Sequence, residues 1–166
     1  MELWDLYDKE RNPINKLHKR GKPIPKGEFH IAVSVLTVNS KNEILVTLRS
    51  PGKQPYPNLW EITAGSVVAG EDSLSAAVRE LYEETGISAV KDELEYIGEY
   101  RGASAIVDMY KIKRDIDIKD IRLQQGETAD AAWVSADELE LMIDNGVVTP
   151  PVARRFYKCR QLGLFD

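Results

Sequence analysis

Residues 65–87 read GSVVAGEDSLSAAVRELYEETGI, and they set Glu80, Glu83 and Glu84 within five positions of one another. The spacing predicts a helix over 73–85. Asp72 or Ser73 can cap its start, and acids at 71 and 72 suit the positive end of the helix dipole. Gly86 followed by Ile87 marks its end. At about 100° per residue, Leu74, Ala77, Val78 and Leu81 fall on one stripe that turns toward a sheet. The three glutamates fall on an adjacent arc, with Arg79 beside Glu83 at i+4. Ala76 is placed on that arc too, leaving the space above the carboxylates open. Like charges at these spacings each cost a few tenths of a kcal/mol, so something must offset them. A hard divalent cation does so, because oxygen ligands suit Mg²⁺ or Mn²⁺. A solvated acidic face is the plainer reading of an arbitrary pair of helical glutamates.

The rest of the chain bounds the class. Its 166 residues suffice for one domain with a proper core, and 43% hydrophobic with 30% charged residues describes a soluble globular protein. A net charge of −5 gives no reason to expect a nucleic-acid partner, although small anionic substrates stay open. Cys159 stands alone, so no intrachain disulfide forms and the cytoplasm is the expected compartment. No apolar run of signal-peptide or membrane-spanning type is visible.

Residues 1–8 alternate like a short strand, and 9–28, rich in Lys, Arg, Pro and Gly, read as an irregular connector. Two β-branched runs, 30–38 and 43–50, predict a hairpin or a neighbouring pair. Residues 50–58 form a loop and 59–63 a further strand. Two more strands are expected at 93–101 and 104–114, and a short one at 131–135. Helices are expected at 135–146 and 150–163, the latter with proline in its first turn. The sum is an α+β chain, a mixed sheet with helices packed on it. The expected boundaries are an N-terminal strand and connector over 1–28 and the domain proper over 29–166, one domain in all.

The opening stretch fits Gly-x5-Glu-x7-Arg-Glu-U-x-Glu-Glu-x-Gly-U, with U aliphatic, at Gly65, Glu71, Arg79, Glu80, Leu81, Glu83, Glu84, Gly86 and Ile87. This resembles the signature of the Nudix hydrolases. WDLYDKERNP, HKRG, PKGEFH and LRSPGKQPYPNLWEI are similar to the branch related to isopentenyl-diphosphate isomerase, so the likeness covers roughly residues 3–145. The resemblance implies an α/β/α sandwich and metal-dependent hydrolysis of a nucleoside diphosphate linked to another moiety. It makes Glu80 and Glu84 the main metal ligands, with Glu83 on the same cluster and the Ala64 carbonyl beside them. Arg79 and Glu71 would hold helix and loop in register, while Gly65 and Gly86 shape the turns. Glu83, Glu80 and Glu127, the last in the loop QQGETADAAW, are candidate general bases.

Outside that stretch, Arg49 and Lys53 are candidate ligands for a substrate phosphate; Arg49 reads equally as surface charge, and for Lys53 surface charge is the plainer reading. Tyr56 and Trp60 could stack on a base, and Trp60 also fits a core position. His18 and His30 are the only histidines, and His30 stands where the isomerase branch places a metal-binding histidine. The isomerase likeness also requires a Cys just before Gly65 and a Glu on a later strand. Ala64 occupies the first position, and GASAIVDMYKI lacks the second. Isomerase activity is therefore the disfavoured alternative, alongside a non-catalytic nucleotide-binding module. ADP-ribose-type members often carry a proline about fifteen residues past the signature, where this chain has Gly102. An apolar N-terminal edge strand, ELWDLY, suggests a homodimer contact.

Overall fold

The run 30–38 is extended because Ile, Val and Thr side chains pack well on a pleated surface. A computed structural model describes residues 1–165. In chain order its elements are β1 (Leu3–Tyr7), β2 (Pro13–Lys19), β3 (His30–Val38), β4 (Ile44–Arg49), β5 (Trp60–Glu61), β6 (Ala64–Ser66), α1 (Ser73–Thr85), β7 (Glu95–Arg101), β8 (Ala105–Lys113), β9 (Thr128–Val134), α2 (Ala136–Asp144) and α3 (Pro150–Gln161).

Strand β3 is the spine. Along one edge it runs parallel to β8, from His30 opposite Ala105 to Val38 opposite Lys113. Its other edge is shared: β6 pairs antiparallel near its start, and β4 joins at its end through Val38 and Ile44. The sheet order is β5-β4-β3-β8-β7, with β6 on β3 and β9 on β4. Alternation along the strands then sorts the core. Ile31, Val33, Val35, Leu45, Tyr110 and Ile112 pack with Ala77 and Leu81 of α1. Leu36, Val38, Ile44 and Val46 pack with Leu139 of α2 and with Val152 and Phe156 of α3. The result is a mixed sheet between helices, the α/β/α sandwich.

The N-terminal segment departs from its reading as irregular. Residues 13–19 form β2, antiparallel to β1. Their sequence, PINKLHK, shows no apolar alternation because the strand is mostly exposed and buries little. Both edges of β1 are engaged within the chain: beyond β2, Tyr7 and Phe29 exchange backbone hydrogen bonds, and the Leu3 carbonyl accepts from Ala69 N–H at 2.8 Å. Arg11 fixes the same hairpin to the sheet through a two-pronged contact with Asp108, at 2.7 and 2.6 Å.

Two further details differ. The stretch between β5 and α1 contains β6, too short at three residues for a periodic signal. Ala76 is fully buried in the α1 core rather than on the open arc of the carboxylates. Alanine at both 76 and 77 lets α1 approach the sheet closely, so the covered stripe is wider than the large apolar residues indicate.

Candidate active site

Helix α1 presents the carboxylates, and local chemistry fixes its ends. Asp72 caps it by accepting the Ser75 N–H at 2.9 Å. Gly86 closes it in the left-handed region, φ 74°. That conformation favours glycine, and a Cβ there would also stand 2.8 Å from the Arg122 Cβ.

Arg79 is the cation among the acids. Its Nε and Nη2 donate to the two Glu71 oxygens at 2.9 Å each. Its Nη1 donates to Glu80 at 2.7 Å and Glu83 at 3.3 Å, and Nη2 also reaches the Ser66 carbonyl at 3.1 Å. One guanidinium thus ties the loop after β6 to the face of α1 and offsets the repulsion between Glu80 and Glu83. These bonds hold the Glu71 carboxyl below its ordinary range and raise Arg79 above its own.

Glu84 is placed differently. Its Oε2 is buried with no hydrogen-bond partner among the described residues. Burial, reinforced by the negative charges of Glu61 and Glu80, pushes its carboxyl well up. Burial also raises Glu80, against the lowering effect of Arg79. Glu61 is raised by burial, with Arg49 opposing. The three carboxyls therefore crowd into a low-dielectric pocket that lacks enough positive charge. Gly65 leaves Glu80 its place: a Cβ at Gly65 would fall 2.0 Å from the Glu80 Cδ.

The donors fit a hard divalent cation, because they are carboxylate oxygens and one of them is buried without a partner. Among the described residues no three acidic, His or Cys side chains are already drawn together as a metal-binding group, since Glu80 and Glu83 are turned onto Arg79.

A cleft of about 430 Å³ opens over these groups, and its lining includes Glu80, Glu83, Glu84 and Ala64 together with Arg49, Lys53 and Glu127. Arg49 is fully occupied. It donates to both Glu61 oxygens, at 2.9 and 3.2 Å, and to the carbonyls of Pro55 and Tyr56. Lys53 is ion-paired with Glu127. Trp60 packs against the α2–α3 core, and Tyr56 is 37% exposed and outside the lining of this cleft. His30 stacks on Trp4, ring centroids 4.1 Å apart, with its Nδ1 unpartnered. Desolvation brings it down to about 4. The His18 Nε2 lies 2.9 Å from the Lys22 carbonyl. Cys159 is buried, and burial pushes its thiol up, as for an inert core cysteine.

Three polar residues escaped the sequence reading: Glu61, Asp108 and Arg155. Each interrupts an apolar run or lies on a helix face otherwise facing the core. A lone charge in LWEIT or AIVDMYKI is a usable signal, because an unpaired charge there would be costly. Pairing partners remote in sequence were not readable.

The NUDIX domain model matches residues 28–156. The chain belongs to the Nudix hydrolase family. An uncharacterized Nudix hydrolase of Listeria monocytogenes is 35% identical over 90% of this chain and 89% of its own. An isopentenyl-diphosphate Delta-isomerase of Pectobacterium atrosepticum is 37% identical over 49% of this chain and 46% of its own. A crystal structure of a Deinococcus radiodurans protein superposes with a TM-score of 0.81 over 95% of this chain and 99% of that one, at 20% identity. The family and its fold are those expected from residues 65–87. No helix of the described residues is long and apolar enough to cross a membrane.

Proposed function

We propose that this Nudix hydrolase is a Mg²⁺-dependent pyrophosphohydrolase that cleaves a diphosphate linkage in a nucleoside diphosphate derivative by attack of water on phosphorus. The observation that carries the reading is the buried, partnerless Oε2 of Glu84 in a pocket shared with Glu80 and Glu61. Such a group is costly without a cation, and a metal-bound diphosphate explains its retention.

Glu80 and Glu84 would hold the metal, with Glu83 and the Ala64 carbonyl beside them. When bound, Mg²⁺ supplies charge neutralisation at the phosphoryl oxygens and acidifies water. The chain does the rest. Arg79 bonds Glu71, Glu80 and Glu83 at once, so releasing Glu80 toward a cation leaves Arg79 anchored by Glu71. Glu83, Glu80 or Glu127 takes the proton of the attacking water. Lys53, paired with Glu127, and Arg49, paired with Glu61, would meet substrate phosphates by exchanging or sharing those carboxylates. A lone, buried Cys159 suits the reducing cytoplasm as the place of action.

The test is a panel of nucleoside diphosphate derivatives assayed for phosphate release after coupling to a phosphatase, with Mg²⁺ and with EDTA. Turnover that needs Mg²⁺ and is absent in Glu84→Gln supports the reading. Wild-type rates equal to those of Glu84→Gln on every substrate sink it.

The similarity to an isopentenyl-diphosphate isomerase favours one alternative. That chemistry needs an acid–base pair of which Ala64 and β8 supply neither member, so conversion of isopentenyl diphosphate is the observation required to revive it.

A further inference from the structure

A second cleft of about 260 Å³ continues from the first. The two share Arg49, Pro55, Glu61, Ala64, Gly65 and Ser66. Beyond those residues its walls are Ala32 and Val33 of β3, Val107 of β8, and Tyr56, Thr149, Pro151 and Arg155. It is bordered by Pro151 and Arg155 of α3 and by none of the α1 carboxylates, which line the first cleft. One end of the joined cleft is acidic, and the other is largely apolar, with Arg155 as the guanidinium that the first cleft does not share.

Five basic side chains line the joined cleft: Arg20, Arg49, Lys53, Arg79 and Arg155. Four have a carboxylate of their own, namely Glu2, Glu61, Glu127 and Glu71. Arg155 makes no ion pair and no side-chain hydrogen bond among the described residues. It projects from α3 between Val152 and Cys159, both buried, and also borders a small internal cavity with Phe156 and Ile62. Burial brings its guanidinium down to about 10, against the raising influence of Cys159 and Glu61. Glu61 acts on it only at a distance and is itself bonded to Arg49, and a partly buried cation with no directly bonded partner is unfavourable unless a ligand provides one. A lysine would carry the same charge, but a guanidinium offers a planar fork for phosphoryl or carboxylate oxygens.

We propose that Arg155 is a substrate-binding residue. It takes an anionic oxygen of the phosphoryl group farther from the α1 carboxylates, and the apolar walls at Tyr56, Val107 and Pro151 hold the organic moiety attached to that group. The preferred substrates are then diphosphates with an organic substituent on this side, rather than inorganic polyphosphates. The proposal rests on the hydrolase reading for the nature of the anion.

The experiment separates the two. Wild type, Arg155→Leu and Arg155→Lys are titrated with α,β-methylene-ADP in Mg²⁺ by calorimetry, a probe that binds without being cleaved. Melting temperatures are measured in parallel, and kcat and KM are taken on any substrate the panel reveals. Arg155→Leu is expected to weaken the probe's binding by about tenfold or more, with Arg155→Lys recovering part of the loss, as for a charge-assisted contact. KM should rise in step while kcat changes less. Equal affinity in wild type and Arg155→Leu, a lowered melting temperature with unchanged affinity, or no binding by the wild type overturns the proposal. Should Arg155→Leu fail to fold, affinity undiminished in Arg155→Lys overturns it instead. Weakened binding in a protein that hydrolyses nothing would sustain Arg155 while the catalytic reading falls.

Discussion

Gly65 and Glu80 occupy complementary space. A methyl group at Gly65 would stand 2.0 Å from the Glu80 Cδ and 2.2 Å from its Oε1. Gly65 has no left-handed φ, so its backbone conformation does not demand glycine. The demand comes from the carboxylate. The obstructed atoms are the far end of a flexible side chain, which can swing aside. Gly65→Ala should therefore cost less than about 1 kcal/mol of stability and yet displace Glu80 and lower kcat/KM by about tenfold or more. Denaturant melts and steady-state assays on the same preparation check both halves.

Glu84→Gln should separate stability from activity in the opposite sense. The carboxyl is buried, has an unpartnered oxygen and sits near Glu61 and Glu80. A neutral amide of the same size relieves the desolvation and repulsion. In metal-free buffer, stability should hold or rise by about 1 kcal/mol, whereas hydrolysis should fall by about a hundredfold or more. The stabilising effect of added Mg²⁺ on the melting temperature should shrink as well.

Arg79→Met removes a guanidinium with four polar partners. Glu71, 14% exposed at its side chain, loses its cation, and so does Glu80. A loss of about 1–3 kcal/mol is expected, because two partly buried carboxylates are left unpaired. Glu71→Gln should lose less, since Arg79 then keeps Glu80 and Glu83. Chemical denaturation of the two variants checks the ranking.

Arg11→Ala tests the N-terminal hairpin. The Asp108 side chain is 2% exposed, and its charge is met by Arg11, with Ser73 also in contact. Removing Arg11 strands a buried carboxylate beneath the start of α1, at a cost of about 3 kcal/mol. Arg11→Ala with Asp108→Asn should recover much of it. A double-mutant cycle measures the coupling.

His30 predicts an acid limb of stability. Its folded value is depressed to about 4 from an ordinary 6.5 by burial against Trp4 and by the charge of His18 and Arg20, with Glu2 opposing. The unfolded chain therefore binds more protons between those values. Stability from the neutral ring is complete above about pH 6.5 and is lost as pH falls toward 4, by about 1–3 kcal/mol in all. His30→Gln should flatten that part of the curve. Unfolding free energies measured at several pH values decide it.

The helix of residues 73–85 and its caps were legible because they depend on neighbours within a few positions. So were the central strands, whose β-branched runs are buried on both faces of the sheet. Strand β2 was not, because an exposed strand carries no hydrophobic alternation, and its place follows from β1. Ala76 was misplaced because helix-to-sheet distance, not side-chain size, buried it. In the site, the order Gly65, Glu71, Arg79, Glu80, Glu83 and Glu84 was visible in one stretch. Glu61 and Arg155 enter from β5 and α3, far away along the chain, and only packing brings them to the cleft.

Residues 65–87 by themselves determined the family and the chemistry of the α1 face, because a helix repeats at a fixed angle and puts chosen carboxylates side by side. Tertiary structure decided which carboxylate is buried without a partner, which cations are already neutralised and which one is left over. Those properties depend on desolvation and on pairs formed across the sheet, and neither is encoded in local spacing.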